Sequence, residues 1–217
     1  MNRAFVPLIA LALAACSLGR MGESQRLQAQ NAYERGLAQA SQGQSALALT
    51  SFQEAIALNP KSAPYRDGLG LLLLDLGRVD QAIEELTTAV DLDPTRGDSH
   101  FHLGTALAEK RRWEDAVTAY RKAINQPSLT SLDLAYQNLG LAHFHLKRYR
   151  EAEEALRFAL SLDPQLQAAY YNLGLVLTAS KRTDEAKAVF RRARQIAPDS
   201  PFGQAAVERL KALGDGG

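Results

Sequence analysis

The sequence predicts an all-α fold, a solenoid of five helical hairpins closed by a C-terminal capping helix, and three periodic features carry that expectation. Glycines recur at Gly36, Gly70, Gly104, Gly140 and Gly174, at spacings of 34, 34, 36 and 34 residues. Alanines keep the same rhythm at Ala48, Ala82, Ala116, Ala152 and Ala186, and again at Ala55, Ala89, Ala123, Ala159 and Ala193. Between each alanine pair stands one large apolar residue: Phe52, Leu86, Tyr120, Leu156 or Phe190. A fixed period of this length is the mark of a repeat architecture.

Each recurring residue type has a mechanical role. Glycine or alanine inside a helix removes bulk, so that two helices can approach more closely than the usual 8–10 Å. That gain must exceed glycine's helix penalty of about 1 kcal/mol. The large residue is expected to fill the space between successive hairpins. Prolines at Pro60, Pro94, Pro127, Pro164 and Pro198 end one unit and open the next.

The pattern resembles the tetratricopeptide-repeat family over residues 29–200, which implies a right-handed superhelical solenoid of units 29–62, 63–96, 97–132, 133–166 and 167–200. The first unit departs from the pattern, with Arg35 where the others have Leu69, Leu103, Leu139 and Leu173, so its hairpin is expected to be the loosest. The third unit is two residues longer, within Gln126–Ser131, and a longer turn is expected before the fourth hairpin. Pro201 to Leu213 reads as the capping helix, with Phe202, Ala206, Leu210 and Leu213 on one face, and the last four residues as a flexible end.

The N-terminal region reads differently. Ala4 to Ala15 is apolar throughout, broken only by Pro7, and is too short for a spanning helix of about 20 residues. It fits the core of a signal peptide over residues 1–15. Leu13-Ala14-Ala15-Cys16 resembles the lipobox of bacterial lipoproteins, and Cys16 is the one cysteine of the chain. The resemblance implies cleavage before Cys16 and acylation of its thiol, and acyl chains contribute about 0.8 kcal/mol per buried CH₂ to membrane anchoring. Ser17 to Gln28 reads as a polar tether within a 16–28 anchor segment, reaching at most roughly 40 Å if extended. Ser17 rather than an aspartate after Cys16 implies, by resemblance to the enteric sorting rule, a lipid-anchored protein on the periplasmic face of the outer membrane.

Composition excludes several classes of function. Loss of Arg3 with the leader leaves 24 basic against 24 acidic side chains, without the excess positive charge of a nucleic-acid binder. One thiol permits no disulfide within the chain. No G-x-S-x-G, P-loop or dinucleotide fingerprint is present, so no catalytic residue and no cofactor are assigned. His100 and His102, like His143 and His145, are two residues apart, which places their side chains on opposite sides of a helix, and no metal site is expected.

The groove remains as the candidate site. In tetratricopeptide hairpins the first helix of each unit lines a concave channel. Register from the glycines places Tyr33 and Leu37 there from the first unit, with Asp67, Leu71 and Leu74 from the second and Phe101 and His102 from the third. The fourth contributes Gln137, Asn138, Leu141 and Phe144, and the fifth Tyr171, Asn172 and Leu175. An apolar channel of this kind suits an amphipathic helix or an extended peptide with hydrophobic anchors, and Asn138 and Asn172 are placed to hold a peptide backbone. Basic pairs at successive hairpin turns, including Arg111, Arg112, Arg148 and Arg182, form a second candidate edge; their plainer role is to complement helix dipoles.

Compact size, a short tether, repeats filling the mature chain, a groove without lysine clamps and the longer turn after Ile124 together resemble the type IV pilus pilotin family. That resemblance implies a non-catalytic scaffold whose protein partner is a segment of an outer-membrane secretin. The alternative is an envelope adaptor that recruits peptidoglycan-remodelling enzymes or other assembly factors. Cys16→Ser is expected to abolish palmitate labelling; undiminished labelling of the substituted protein would rule out the lipoprotein reading.

Overall fold

A computed structural model describes the backbone of residues 6–215 and the side chains of residues 22–215. Cys16 and the lipobox lie outside the residues whose side chains are described. Among the described residues the structure is all helical: α1 (Val6–Ser41), α2 (Ser45–Leu58), α3 (Ala63–Asp75), α4 (Val79–Leu92), α5 (Gly97–Glu109), α6 (Trp113–Ile124), α7 (Leu132–His145), α8 (Tyr149–Leu162), α9 (Gln167–Ala179), α10 (Thr183–Ile196) and α11 (Pro201–Ala212). They form two compact units, Met1–Asp93 and Pro94–Gly217. The first holds the hairpins α1/α2 and α3/α4; the second holds α5/α6, α7/α8, α9/α10 and the closing α11.

The glycine register has a direct steric cause. A Cβ on Gly36 would stand 2.9 Å from the Phe52 ring, on Gly104 2.6 Å from Tyr120, and on Gly140 2.6 Å from Leu156 Cγ and 3.1 Å from the Ala152 carbonyl oxygen. Each glycine is therefore the seat of the large residue of its own hairpin. This refines the expected role of that residue, which fills the space within a hairpin first. Phe52 also lies against Gly68 of the next hairpin, where a Cβ would stand 3.2 Å from its ring.

Turn chemistry separates the hairpins. Three residues join the two helices of each hairpin, and the position that enters the left-handed region is Gly43 or Gly77 in the first unit but Arg111, Lys147 and Lys181 in the second. The turn after α6 runs from 125 to 131, longer than the four-residue links at 59–62, 163–166 and 197–200. It folds back onto the start of α5: the Gly97 amide donates to Ser128 Oγ (2.9 Å), Ser128 Oγ to the Thr95 carbonyl (2.7 Å), and Thr130 N and Oγ1 both to Asp98 Oδ1 (3.0 Å). Gly97 is needed there, because a Cβ would meet the Leu129 backbone nitrogen at 2.8 Å.

Two terminal expectations are corrected. Residues 22–28, read as an extended tether, belong to α1, and Gln25 Nε2 donates to the Leu58 carbonyl (3.0 Å). The segment contains strong helix formers and no proline, so the helix of the first repeat propagates through it. At the other end Asp215 is pinned by Arg191 (2.7 Å) and its amide bonds the Leu210 carbonyl (2.9 Å), so the flexible end does not start at Gly214. The capping helix itself forms as expected. Ser200 Oγ accepts from the Gly203 amide (3.0 Å) and donates to Gln167 Oε1 (2.6 Å), and Ala206 and Leu210 are buried.

In the first hairpin Arg35 turns outward at the leucine position, donating to Ser51 Oγ (3.2 Å) and Glu54 (2.5 Å), while Ser51 donates to Gln39 Oε1 (2.8 Å). Gly140→Leu is expected to force α7 from α8 and to cost on the order of 1–3 kcal/mol. A thermal melt superimposable on the parent would mean that the glycine contact does not set the helix spacing.

Candidate functional site

The expected channel divides between the two units. In the first, Tyr33 is wedged between Phe52 and Tyr65, with ring centroids at 5.7 and 4.8 Å, and serves the core. Asp67 is buried. Leu37 and Leu71 are exposed and Leu74 is half-buried, so these three leucines are the apolar groups this unit presents from the predicted set.

The second unit carries the more complete surface. α7 packs against α5 and α9, and α9 against α11. Phe101, His102, Gln137, Asn138, Leu141, Phe144, Tyr171 and Leu175 are all half-buried. Asn172 is a correction: at 7% exposure little of it faces the channel, because it lies on the buried side of α9. Asn138 is already engaged, its Oδ1 accepting from Gln137 Nε2 (3.1 Å). It also lies against the phenol of Tyr120, whose pKa burial pushes up to about 12, against the lowering effect of its hydrogen-bond partners Thr105 and Asn138. Neither asparagine therefore presents the free carboxamide that the register suggested.

Sequence reasoning missed the wall supplied by α11. Tyr171 packs on Phe202 (5.6 Å) as well as Phe190 (5.7 Å). Beyond this contact lies a pocket of about 360 Å³ lined by Phe144, Leu175, Thr178, Ala179, Arg209, Ala212 and Leu213. Its floor is apolar, and Arg209 is the one charged residue lining it. The signal was present in the Phe202–Leu213 stripe, but a capping helix reads as a cover for the core, and its second face has no periodicity of its own.

The basic turn edge is largely neutralised. Arg112 pairs with Asp115 (2.7 Å), Arg148 makes a bidentate pair with Glu114 (2.7 and 2.9 Å), and Arg182 holds Glu153 and Glu185 (2.6 Å each). The histidines separate. His100 bonds the Pro94 carbonyl (3.0 Å), His145 stacks on Trp113 with centroids 4.0 Å apart, and His143 is 2% exposed. No group of three or more potential ligands for a metal ion forms among the described residues. Nor is any described helix long and apolar enough to cross a membrane.

The tetratricopeptide-repeat pattern matches residues 30–62, 68–129 and 138–201. The chain belongs to the tetratricopeptide-repeat family. As a member it has the fold of a protein-interaction scaffold. Solved structures with this tetratricopeptide fold include the MamA protein, 25% identical with a TM-score of 0.69, covering 85% of this chain and 94% of that one. PilF of Pseudomonas aeruginosa is 18% identical, with a TM-score of 0.70 and coverage of 89% and 95%. PilW, described as a widely conserved type IV pilus biogenesis factor, is 16% identical, with a TM-score of 0.71 and coverage of 85% and 92%. The last two likenesses are of fold alone.

Two histidines of this tetratricopeptide array are harder to protonate than a free imidazole. Burial lowers the pKa of His143, followed by the Arg121 charge and Arg148, against Glu151 and Glu114; burial lowers that of His145, followed by Arg111. The unfolded chain takes up protons near the ordinary value of 6.5, which the folded chain binds only at lower pH. The stability contributed by the neutral rings is complete above about pH 6.5 and is lost as pH falls through the lowered folded values. Urea midpoints are expected to drop between pH 7.5 and 5, and to drop less in His143→Leu; equal slopes would show that His143 does not titrate this way.

Proposed function

We propose that the protein is a lipid-anchored scaffold that captures a segment of an envelope protein in the groove of its second unit. On this reading it acts as a pilotin assisting outer-membrane secretin assembly for type IV pilus biogenesis. The observation that carries the binding mode is the pocket between α7, α9 and α11. An apolar floor of Phe144, Leu175 and Leu213 with a single cation, Arg209, suits a partner helix or extended segment that inserts an aliphatic or aromatic anchor beside an acidic residue. The half-buried run Phe101, Leu141 and Phe144 continues the apolar surface across α5 and α7.

Anchoring rests on the Leu13–Cys16 box, and catalysis has no place in this reading: a scaffold needs shape and apolar area rather than a reacting group. The pilotin assignment is supported by the lipobox joined to a repeat array, and the fold of PilF and PilW is compatible with it.

Phe101→Ala with Phe144→Ala is expected to weaken capture of the partner tenfold or more, since a buried aromatic anchor can contribute more than about 2 kcal/mol and about 1.4 kcal/mol is a factor of ten. Arg209→Glu, an exposed charge reversal, should weaken it with helix content unchanged. Secretin multimers and pilus-dependent motility should fall together in both variants. Normal multimers with a folded double variant would remove the groove as the working surface. Recovery of cell-wall hydrolases rather than secretin with the parent protein would replace the pilotin role by the adaptor role.

A further inference from the structure

All five hairpin turns share one hydrogen-bond pattern and differ in one side chain. In the first unit the Gly43 amide donates to the Ala40 carbonyl (3.0 Å) and Gly77 to Leu74 (2.8 Å). In the second, Arg111 donates to Ala108 (2.9 Å), Lys147 to Phe144 (2.9 Å) and Lys181 to Thr178 (3.0 Å). The next amide, from Gln44, Arg78, Arg112, Arg148 or Arg182, donates to the carbonyl five residues back at 2.8 or 2.9 Å. The first residue of each such pair has a φ between 56° and 72°. Glycine enters that region freely, whereas a residue with a Cβ is strained there. A Cβ at Gly43 or Gly77 would meet nothing within 4 Å, so glycine serves these turns by its φ and not by its size. The turn therefore needs no more than glycine. Every hairpin of the second unit nevertheless places a cation at the strained position, and strain retained three times with the same charge indicates a use for the side chain.

The basic residues of these turns divide their work. The arginine after the strained position makes the ion pairs: Arg112 with Asp115, Arg148 with Glu114, and Arg182 with Glu153 and Glu185. Arg111, Lys147 and Lys181 are exposed and make no ion pair among the described residues. The pairs Arg148–Glu114 and Arg182–Glu153 run between successive hairpins, and the Trp113–His145 stack joins the first two turns again. The three turns thus lie side by side along one edge of this unit. The acids outside these pairs, Glu109, Glu151 and Asp184, belong to the flanking helices, so the turn residues themselves carry only positive charge.

We propose that Arg111, Lys147 and Lys181 form a contact row for the phosphates of an anionic lipid surface, separate from the groove, and that this row sets which edge of the second unit faces the membrane. Each is a long flexible side chain on an exposed turn, which reads charge rather than shape. A plane of headgroup phosphates meets all three at once, whereas a peptide would need acids at the spacing of the hairpins. The inference rests on the lipid-anchored reading for proximity alone: acyl chains hold the protein at the surface, and a few weak cationic contacts then suffice to orient it.

The test uses the full chain carrying Cys16→Ser, which cannot be acylated, so that the row and the anchor are tested apart. It is compared with the same chain carrying Arg111→Gly, Lys147→Gly and Lys181→Gly, which copies the turns of the first unit. Co-sedimentation is measured with vesicles of phosphatidylglycerol and phosphatidylethanolamine, and with vesicles of phosphatidylcholine. The Cys16→Ser chain is expected to bind the anionic vesicles at least about tenfold more tightly, since each cation near such a surface contributes a factor of about five. The glycine variant should lose that preference and melt at or above the temperature of the Cys16→Ser chain. The preference should also vanish at an ionic strength of about 1 M, where the Debye length is about 3 Å. Equal binding to both vesicles, or an undiminished preference in the glycine variant, would overturn the proposal. A glycine variant that melts lower would overturn it too, by assigning the cations to the helix ends they follow. Displacement from the vesicles by inorganic phosphate more readily than by chloride at equal ionic strength would make the ligand a free anion. Tighter binding to a short polyglutamate peptide than to the anionic vesicles would make it an acidic protein, and either result removes the membrane as the partner of this edge.

Discussion

The contact between a helical glycine and the large apolar residue of its partner helix is the constraint on which the rest of the structure depends. Gly104 seats Tyr120, Gly140 seats Leu156 and Gly174 seats Phe190, and in the first unit Gly36 seats Phe52 and Gly70 seats Leu86. Burying a side chain of this size stabilises by about 1.5–3 kcal/mol, more than the roughly 1 kcal/mol that glycine costs a helix. The paired alanines, buried without exception from Ala48 to Ala193, keep the flanking turns of the second helix equally close. Helix spacing within a hairpin is therefore set by a large side chain seated on a glycine backbone, and side chains elsewhere adapt to it.

That close approach gives the two helices of a hairpin different work. Second helices such as α8 and α10 turn one alanine-rich stripe inward and leave a charged face in water. First helices such as α7 and α9 pack against their own partner and against neighbouring hairpins, so that only a narrow strip of each stays open. Apolar residues on that strip are held in place by the core beneath them, which suits recognition of a hydrophobic anchor without a large ordering cost. Ion pairs between hairpins, Arg148 with Glu114 and Arg182 with Glu153, lie along the outer edge. Partly exposed pairs of this kind contribute about 0–1 kcal/mol each; they align neighbouring hairpins more than they hold them together.

The fourth hairpin is where the repeat loses uniformity. The longer turn before it carries its own hydrogen bonds back to the start of α5, and the hairpin then places an imidazole where others place leucine. Regular repeats can hold such an irregularity because each hairpin packs only on its neighbours, so the effect of a polar group in one stays local.

The all-α repeat fold, the number of hairpins, the longer turn and the capping helix were all legible in the sequence, because each depends on local steric rules that recur five times in register. The same register placed Phe101, Leu141, Phe144, Tyr171 and Leu175 on the first helices, and the structure leaves each of them half-buried. Tertiary structure alone decided the rest. Asn172 and Asp67 lie on faces that neighbouring helices bury, and a register position does not say how far a neighbour reaches. The pocket needs Arg209, Ala212 and Leu213 beside Phe144, residues far apart in the chain whose meeting depends on the angle at which α11 closes on α9. His143 is visible in the sequence as a histidine, but its burial with an unmatched nitrogen was decided by packing. A repeat specifies contacts that repeat; those that occur once arise from packing.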